Sequence, residues 1–162
     1  MKTIEILTQE AITLLKALIE TPSFSSEEDQ TALLIENWFT QNGIPFQREN
    51  NNIWAFNQHF DESKPILLLN SHHDTVKPNQ GYTNDPFEAI VKDGKLFGLG
   101  SNDAGGCLVS LLATFVYFYG KENIDFFYEY LDNKNIDSEE YLEQYKKIFK
   151  EKYKNQTLDL IV

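Results

Sequence analysis

Two stretches of this chain combine metal-ligating residue types with unusual backbone demands. The first is Asn70-Ser71-His72-His73-Asp74-Thr75-Val76, at the end of the apolar run Ile66-Leu67-Leu68-Leu69. In extended backbone residues two apart project to one side, so His72 and Asp74 are expected to face together with His73 opposite. An imidazole beside a carboxylate suits metal ligation, the acid orienting or polarising the ligand. The residue types alone equally allow one histidine to be a core residue hydrogen-bonded to Asp74. The second stretch, Gly98-Leu99-Gly100-Ser101-Asn102-Asp103-Ala104-Gly105-Gly106, surrounds one aspartate with four glycines just before an apolar helix. Glycines at this density let backbone turn tightly and approach a ligand closely. Asp103 could also serve simply as the helix N-cap.

The elements that must position these residues follow from periodicity. Ile4, Leu7, Ala11, Leu14, Leu15 and Leu18 recur at helical spacing, and Thr21-Pro22-Ser23 ends that helix. Ser26 and Asp29 resemble a capping box opening a second helix, with Leu33, Leu34, Ile35, Trp38 and Phe39 inward and Gly43 as its stop. Short strands are expected at residues 44–47 and 53–56. The run at 66–70, preceded by Pro65, suits a central strand buried on both faces. Residues 87–92 and 95–99 flank Asp93-Gly94, a signal for a tight hairpin. An apolar helix is expected over about residues 106–119. Helices alternating with strands indicate an α/β layered fold. Ligands gather at the carboxyl ends of strands in open α/β sheets, which is where residues 70–76 fall.

Beyond Gly120 the composition turns polar. Residues 121–156 are rich in Lys, Glu, Asp, Asn and Tyr. Ser138-Glu139-Glu140 could cap a helix running to about Lys152, and Leu158-Asp159-Leu160-Ile161-Val162 reads as a beginning strand.

Composition narrows the function classes. The chain has 162 residues, 41% of them apolar and 14% aromatic, enough for a packed core and too rich for disorder. Its formal charge of −11 opposes nucleic-acid binding and an anionic membrane surface, so neither partner is expected. Glu5 and Glu10 interrupt any signal-peptide core, and a single cysteine, Cys107, cannot form an internal disulfide. A cytoplasmic location is the default expectation.

With these residues in hand a resemblance becomes specific. Ser71-His72-His73-Asp74-Thr75-Val76, then Asp85-Pro86-Phe87, Asp93-Gly94-Lys95-Leu96 and residues 98–106 follow in order the N-terminal half of the catalytic domain of M20 metallopeptidases. Within that family the chain looks most like acetylornithine (or acetylcitrulline) deacetylases, over roughly residues 4–119. The resemblance implies a three-layer, zinc-peptidase-like (phosphorylase/hydrolase-like) α/β domain, with a mixed sheet and flanking helices. Residues 1–120 would be its N-terminal part, and residues 121–162 a divergent acidic, lysine-rich helical segment ending in a short strand.

What the resemblance implies for the site comes residue by residue. His72 would ligate one metal, Asp74 would be the catalytic-site acid orienting it, and Asp103 would bridge two metals, its bond to Ala104 in the cis form. Leu99 stands where many members carry Arg, and Gly105 where many carry Lys. The cofactor would be two zinc ions, Co2+ being a possible substitute. Paired ions lower the pKa of a shared water to ~7 and polarise the scissile carbonyl. A glutamate from a Glu-Glu pair after the next core strand then moves the proton to the leaving amine.

That pair and the remaining ligands have no match in this sequence. Glu139-Glu140 fits a helix cap better, and His59 sits in a polar turn. The chain therefore reads as a truncated zinc-dependent N-acyl amino acid deacetylase of arginine biosynthesis, a gene fragment or a frameshifted reading. Alone it is expected to bind zinc weakly and hydrolyse nothing. The implied partners are a small N-acyl amino acid substrate and, in the full-length family, a second copy in a homodimer. The rival readings are another M20 activity, succinyl-diaminopimelate desuccinylase or dipeptidase, and a non-catalytic binding protein that reuses the fold.

Overall fold

The structure is a computed structural model and describes residues 2–61 and 66–121. Its first helix, α1 (Ile4–Glu20), starts where Thr3 Oγ1 accepts the Ile6 amide proton. Leu7, Ala11, Leu14, Leu15, Leu18 and Ile19 form its buried stripe, and the helix stops at Thr21, before Pro22. The second helix, α2 (Asp29–Gln41), buries Thr31, Ala32, Ile35, Trp38 and Phe39. Leu33, expected inward, is exposed, because the buried stripe follows Thr31 and Ala32 instead. The expected capping box is not formed. Glu28 is the N-cap residue without a side-chain cap bond, and its Oε1 accepts the Ser26 amide proton. Ser26 adopts φ +73°, in the left-handed region and not the extended conformation typical of an N-cap. Gly43, at φ +66°, ends the helix as expected.

Two antiparallel hairpins follow. β1 (Gln47–Glu49) pairs with β2 (Asn52–Trp54) across Asn50-Asn51, so the first expected strand lies about three residues later than residues 44–47. Ile44 is instead a buried core residue. Arg48 anchors this hairpin to α2 through Asp29 (3.0 Å) and Glu36 (3.2 Å). β3 (Ile90–Lys92) pairs with β4 (Lys95–Phe97). Asp93 and Gly94 both take positive φ, the mirror-image turn that matches strand twist.

The central strand expected at residues 66–70 is not formed. Ile66 and Leu67 are 54% and 52% exposed, and no strand pairs with the segment among the described residues. An apolar run supplies something to bury, whereas a strand also needs a hydrogen-bonding neighbour. The final described helix, α3 (Gly106–Phe118), matches its expected span and buries Leu108, Val109, Leu112 and Phe115.

The core lies where α1, α2 and α3 meet, with Ile53 and Ala55 of the first hairpin region closing one side. Phe39 packs edge-on against Phe115, joining α2 to α3. Helices and short sheets together make this an α/β fold. The calls on Pro65 and on everything after Lys121, including the helix beginning near Ser138 and the strand at residues 158–162, lie outside the described residues.

Candidate metal centre

Residues 70–76 run extended and are held in place by the loop between α1 and α2. Thr75 donates its amide proton to Ser23 O (2.7 Å), Ser23 Oγ donates to His73 O (2.8 Å), and Phe24 bridges Thr75 in parallel register. The expected alternation follows. His72 and Asp74 share one side, with His72 Nδ1 3.0 Å from Asp74 Oδ1. His73 points the other way, where its Nε2 donates to Asn51 O (2.9 Å) and its Nδ1 lies 2.8 Å from Thr31 Oγ1.

The two histidines therefore divide the two roles left open by their residue types. His73 is the half-buried structural histidine, with a partner at each ring nitrogen. His72 keeps Asp74.

The glycine-rich loop brings the second carboxylate. Residues 101–105 form one irregular turn closed by the Gly105 amide donating to Gly100 O (2.8 Å), after which α3 begins. Within it Asp103 leaves the helical region (φ −124°, ψ 99°), and its bond to Ala104 is cis. Asp103 is not the N-cap of α3. That position falls to Gly105 without any side-chain cap bond, and Asp103 Oδ1 instead lies 3.3 Å from His72 Nε2.

Close approach at Gly105 is obligatory. A Cβ there would sit 2.6 Å from Leu15 Cδ1 and 2.7 Å from Gly100 O. That packing leaves no room for the Lys which the resemblance places at this position. Leu99, where Arg is common, is buried at 6% exposure, and its amide donates to Pro86 O.

The electrostatics follow from these partners. The Asp74 carboxyl is held below its ordinary range, chiefly by the hydrogen bond from Ser25 Oγ (2.6 Å to Oδ2) and then by the charge and hydrogen bond of His72, with burial opposing. A carboxylate and a carbonyl accept only, so in the contacts of Nδ1 with Asp74 Oδ1 (3.0 Å) and Asp74 O (3.2 Å) the proton stands on Nδ1, and Nε2 is the nitrogen that faces Asp103. Side-chain exposure is 52% for His72 and 90% for Asp103, so their direct pairing is water-screened and contributes little to stability.

Among the described residues no group of three or more His, Cys, Asp and Glu side chains is arranged to hold a metal ion. No described helix is long and apolar enough to cross a membrane. A cleft of about 360 Å³ runs from Asn79 and Tyr82 past Glu88 to Gly98 and Ser101, two residues short of Asp103. His59 is exposed, as its polar turn implied. Ser25 was not foreseen, and its only sequence signal is an alternation, Ser23-Phe24-Ser25, that matches the pleat of the segment beside it.

Residues 68–128 match the model of Peptidase family M20/M25/M40, a span that contains both His72-His73-Asp74 and Asp103. Proteins of this family generally use a divalent metal, usually zinc. The curated relatives are more particular. The chain is 36% identical over 118 residues to an acetylornithine deacetylase of Shigella sonnei, and 30% identical over 118 residues to one of Edwardsiella ictaluri. It is 35% identical over 116 residues to another from Salmonella paratyphi B. These alignments cover 62–64% of this chain and 30% of each relative. The resemblance to M20 acetylornithine deacetylases is thus real and partial, and this chain spans under a third of the relatives' length.

Proposed function

We propose that this chain supplies the first metal-holding residues of a zinc-dependent amide hydrolase of the N-acyl amino acid deacetylase type, resembling the acetylornithine deacetylases of arginine biosynthesis. The observation that carries this reading is the 3.3 Å approach of His72 Nε2 to Asp103 Oδ1, with Nδ1 already committed to Asp74. Two electron-rich atoms facing each other at that distance gain nothing from one another unless a cation or proton lies between them. Two ligands of a tetrahedral zinc, with bonds of ~2.0–2.2 Å, stand ~3.4 Å apart, so the donor pair fits that ion. His72 and Asp103 would hold it, and Co2+ would substitute.

Each residue then has a task. Asp74 keeps the Nδ1 proton of His72, which leaves the Nε2 lone pair free and fixes the ring plane. Asp103, with one oxygen toward His72 and 90% of its side chain exposed, keeps the other oxygen available to a second cation. A bound metal pair supplies Lewis acidity, polarising an amide carbonyl and making water a competent nucleophile near neutral pH. The substrate class is a small N-acyl amino acid, the surrounding fold the three-layer zinc-peptidase type, and the setting the cytoplasm.

Cobalt titration of the 162-residue chain, followed by visible absorption, tests the donor pair. Two protein donors, against about four in a structural site, give weak binding. That binding is lost in His72→Ala and Asp103→Asn and kept in His59→Ala. The deacetylase reading is tested by replacing the matching stretch of the Shigella sonnei acetylornithine deacetylase with residues 4–119. The graft is expected to release acetate from N-acetylornithine in a metal-dependent manner, and His72→Ala within it to abolish this. Cobalt binding indifferent to both site substitutions, or a folded graft that is active without His72, would overturn the proposal.

A further inference from the structure

The run Ile66-Leu67-Leu68-Leu69-Asn70 leads directly into the segment that carries His72, yet no backbone hydrogen bond joins residues 66–70 to another described residue. Leu69 packs against the core, whereas Ile66 and Leu67 are more than half exposed. Unpaired backbone N–H and C=O groups beside a half-covered apolar row are a template for a further strand. Such a row is also stabilised by whatever keeps water off it.

The fold sets the direction such a strand would take. His72 Nε2 meets Asp103 Oδ1 beside the N-terminus of α3, while Asn57 Nδ2 and the Gln58 amide donate to Phe118 O and Tyr119 O at its other end. The chain from Gln58 to His72 therefore travels the length of α3 against the helix direction. Residues that follow α3 set out from the end where that run began. A strand added beside residues 66–70 after such a helical crossover is parallel to them.

The sequence after α3 holds a segment of matching character. Leu158-Asp159-Leu160-Ile161-Val162 follows a stretch rich in Lys, Glu, Asp and Asn, and only Asp159 in it is polar. With a two-residue period Leu158, Leu160 and Val162 share one face and Asp159 takes the other, so the acid is kept off the core side. An adjacent layer lies ~10 Å away, a distance that about three extended residues span, so residues 122–157 are ample connection. We propose that residues 158–162, which lie outside the described residues, dock as a parallel strand along residues 66–70. The proposal concerns the chain's own C-terminal segment and does not rest on the metal reading.

The test is disulfide trapping in the full 162-residue chain, with Cys107→Ser removing its single, exposed native thiol. Leu67→Cys is combined in turn with Leu158→Cys, Leu160→Cys or Val162→Cys, and with Glu139→Cys as a control outside the segment. Residues paired on neighbouring strands lie within the ~4.4–6.8 Å Cα separation that a disulfide tolerates. On mild oxidation at least one of the three pairs is expected to cross-link within a monomer about 10-fold faster than the control. Hydrogen exchange of the unsubstituted chain gives a second readout. Amides of residues 67–70 are expected to exchange about 10-fold slower than those of an unstructured peptide. Leu160→Pro, which removes a ladder donor, returns them to that rate while the amides of α1 keep theirs.

Rapid cross-linking within one chain, with protection that Leu160→Pro removes, supports the docking. Cross-links that form only between two chains overturn it in favour of a second copy on the same edge. Trapping no faster than the Glu139→Cys control, or unprotected amides at residues 67–70 in the unsubstituted chain, also overturns it. So does protection that survives Leu160→Pro. Where Leu160→Pro exposes the amides of α1, the variant has unfolded and the trapping result alone decides.

Discussion

Gly105→Ala separates two opposing physical effects, and the structure says which one wins. Gly105 has φ −53° and ψ −45°, ordinary right-handed backbone, so alanine meets no torsional objection there. Reduced freedom of the unfolded chain would by itself favour alanine by ~0.4–1 kcal/mol. Against this stand the two contacts of the added methyl, 2.6 Å to Leu15 Cδ1 and 2.7 Å to Gly100 O, where carbon contacts prefer ~3.5–4.0 Å. Leu15 can rotate. Gly100 O cannot easily withdraw, because it accepts the Gly105 amide proton at 2.8 Å. Overpacking of this kind costs ~1–3 kcal/mol, and lengthening the hydrogen bond ~0.5–1.5 more, so a net loss of roughly 1–3 kcal/mol is expected. For a chain of this size that lowers Tm by about 3–10 °C in a thermal melt followed by circular dichroism. Gly94→Ala is the control. Its φ is +72° with nothing within 4 Å of the new methyl, so only left-handed strain of ~1–2 kcal/mol applies. A Gly105→Ala chain as stable as wild type, with Gly94→Ala destabilised, would refute the claim that backbone contact forces glycine at 105.

Three further outcomes are expected. His73→Ala loses the ties to Thr31 and Asn51 and lowers stability by ~1–3 kcal/mol in urea melts while cobalt still binds; His72→Ala, at a half-exposed position, stays within ~0.5 kcal/mol of wild type and loses the cobalt signal. Leu112→Ala, a fully buried side chain of α3, costs ~2–5 kcal/mol by the same assay. The Glu5 carboxyl is held below its ordinary range, first by its own backbone N–H in the opening turn of α1 and then by Thr3. A depressed carboxyl stabilises the fold above its unfolded-state pKa and loses that contribution as pH falls through the folded-state value. The urea midpoint of Glu5→Gln should therefore lie below wild type at pH about 7, and the gap should close on acidification. A gap that widens in acid would show the sign to be wrong.

Helices were legible here because each carries its burial pattern within itself. The stripe of Leu7, Ala11, Leu14, Leu15 and Leu18 needs no knowledge of its partner, and α1 and α3 lie within a residue or so of their expected spans. The second hairpin was legible for a similar reason. Asp93-Gly94 accepts two positive φ values, a property of the dipeptide itself. Residues 66–70 had no such local determinant, since a strand is defined by a neighbour. The capping residues of α2 failed because Ser26 is consumed by a turn, leaving Glu28 at the cap.

The site divides along the same line. That His72 and Asp74 share a side follows from the two-residue period, and their contact spans only two positions. Which histidine would be structural did not follow from residue type. It was settled by Thr31 and Asn51, 42 and 22 positions away, whose placement depends on how α2 and the first hairpin pack. Ser25 is the extreme case. A serine hydroxyl carries no chemical signature, and its value here comes wholly from a register that three backbone-directed contacts impose across some fifty residues. Residue chemistry thus named the atoms that could bind a cation, while long-range pairing set the segment that carries them. Substitutions that spare every candidate ligand but break the pairing at Ser23 or Phe24 should disturb His72 nearly as much as substitutions at Asp74. Equal His72 spectra in Ser23→Ala and wild type would show that the pairing is dispensable.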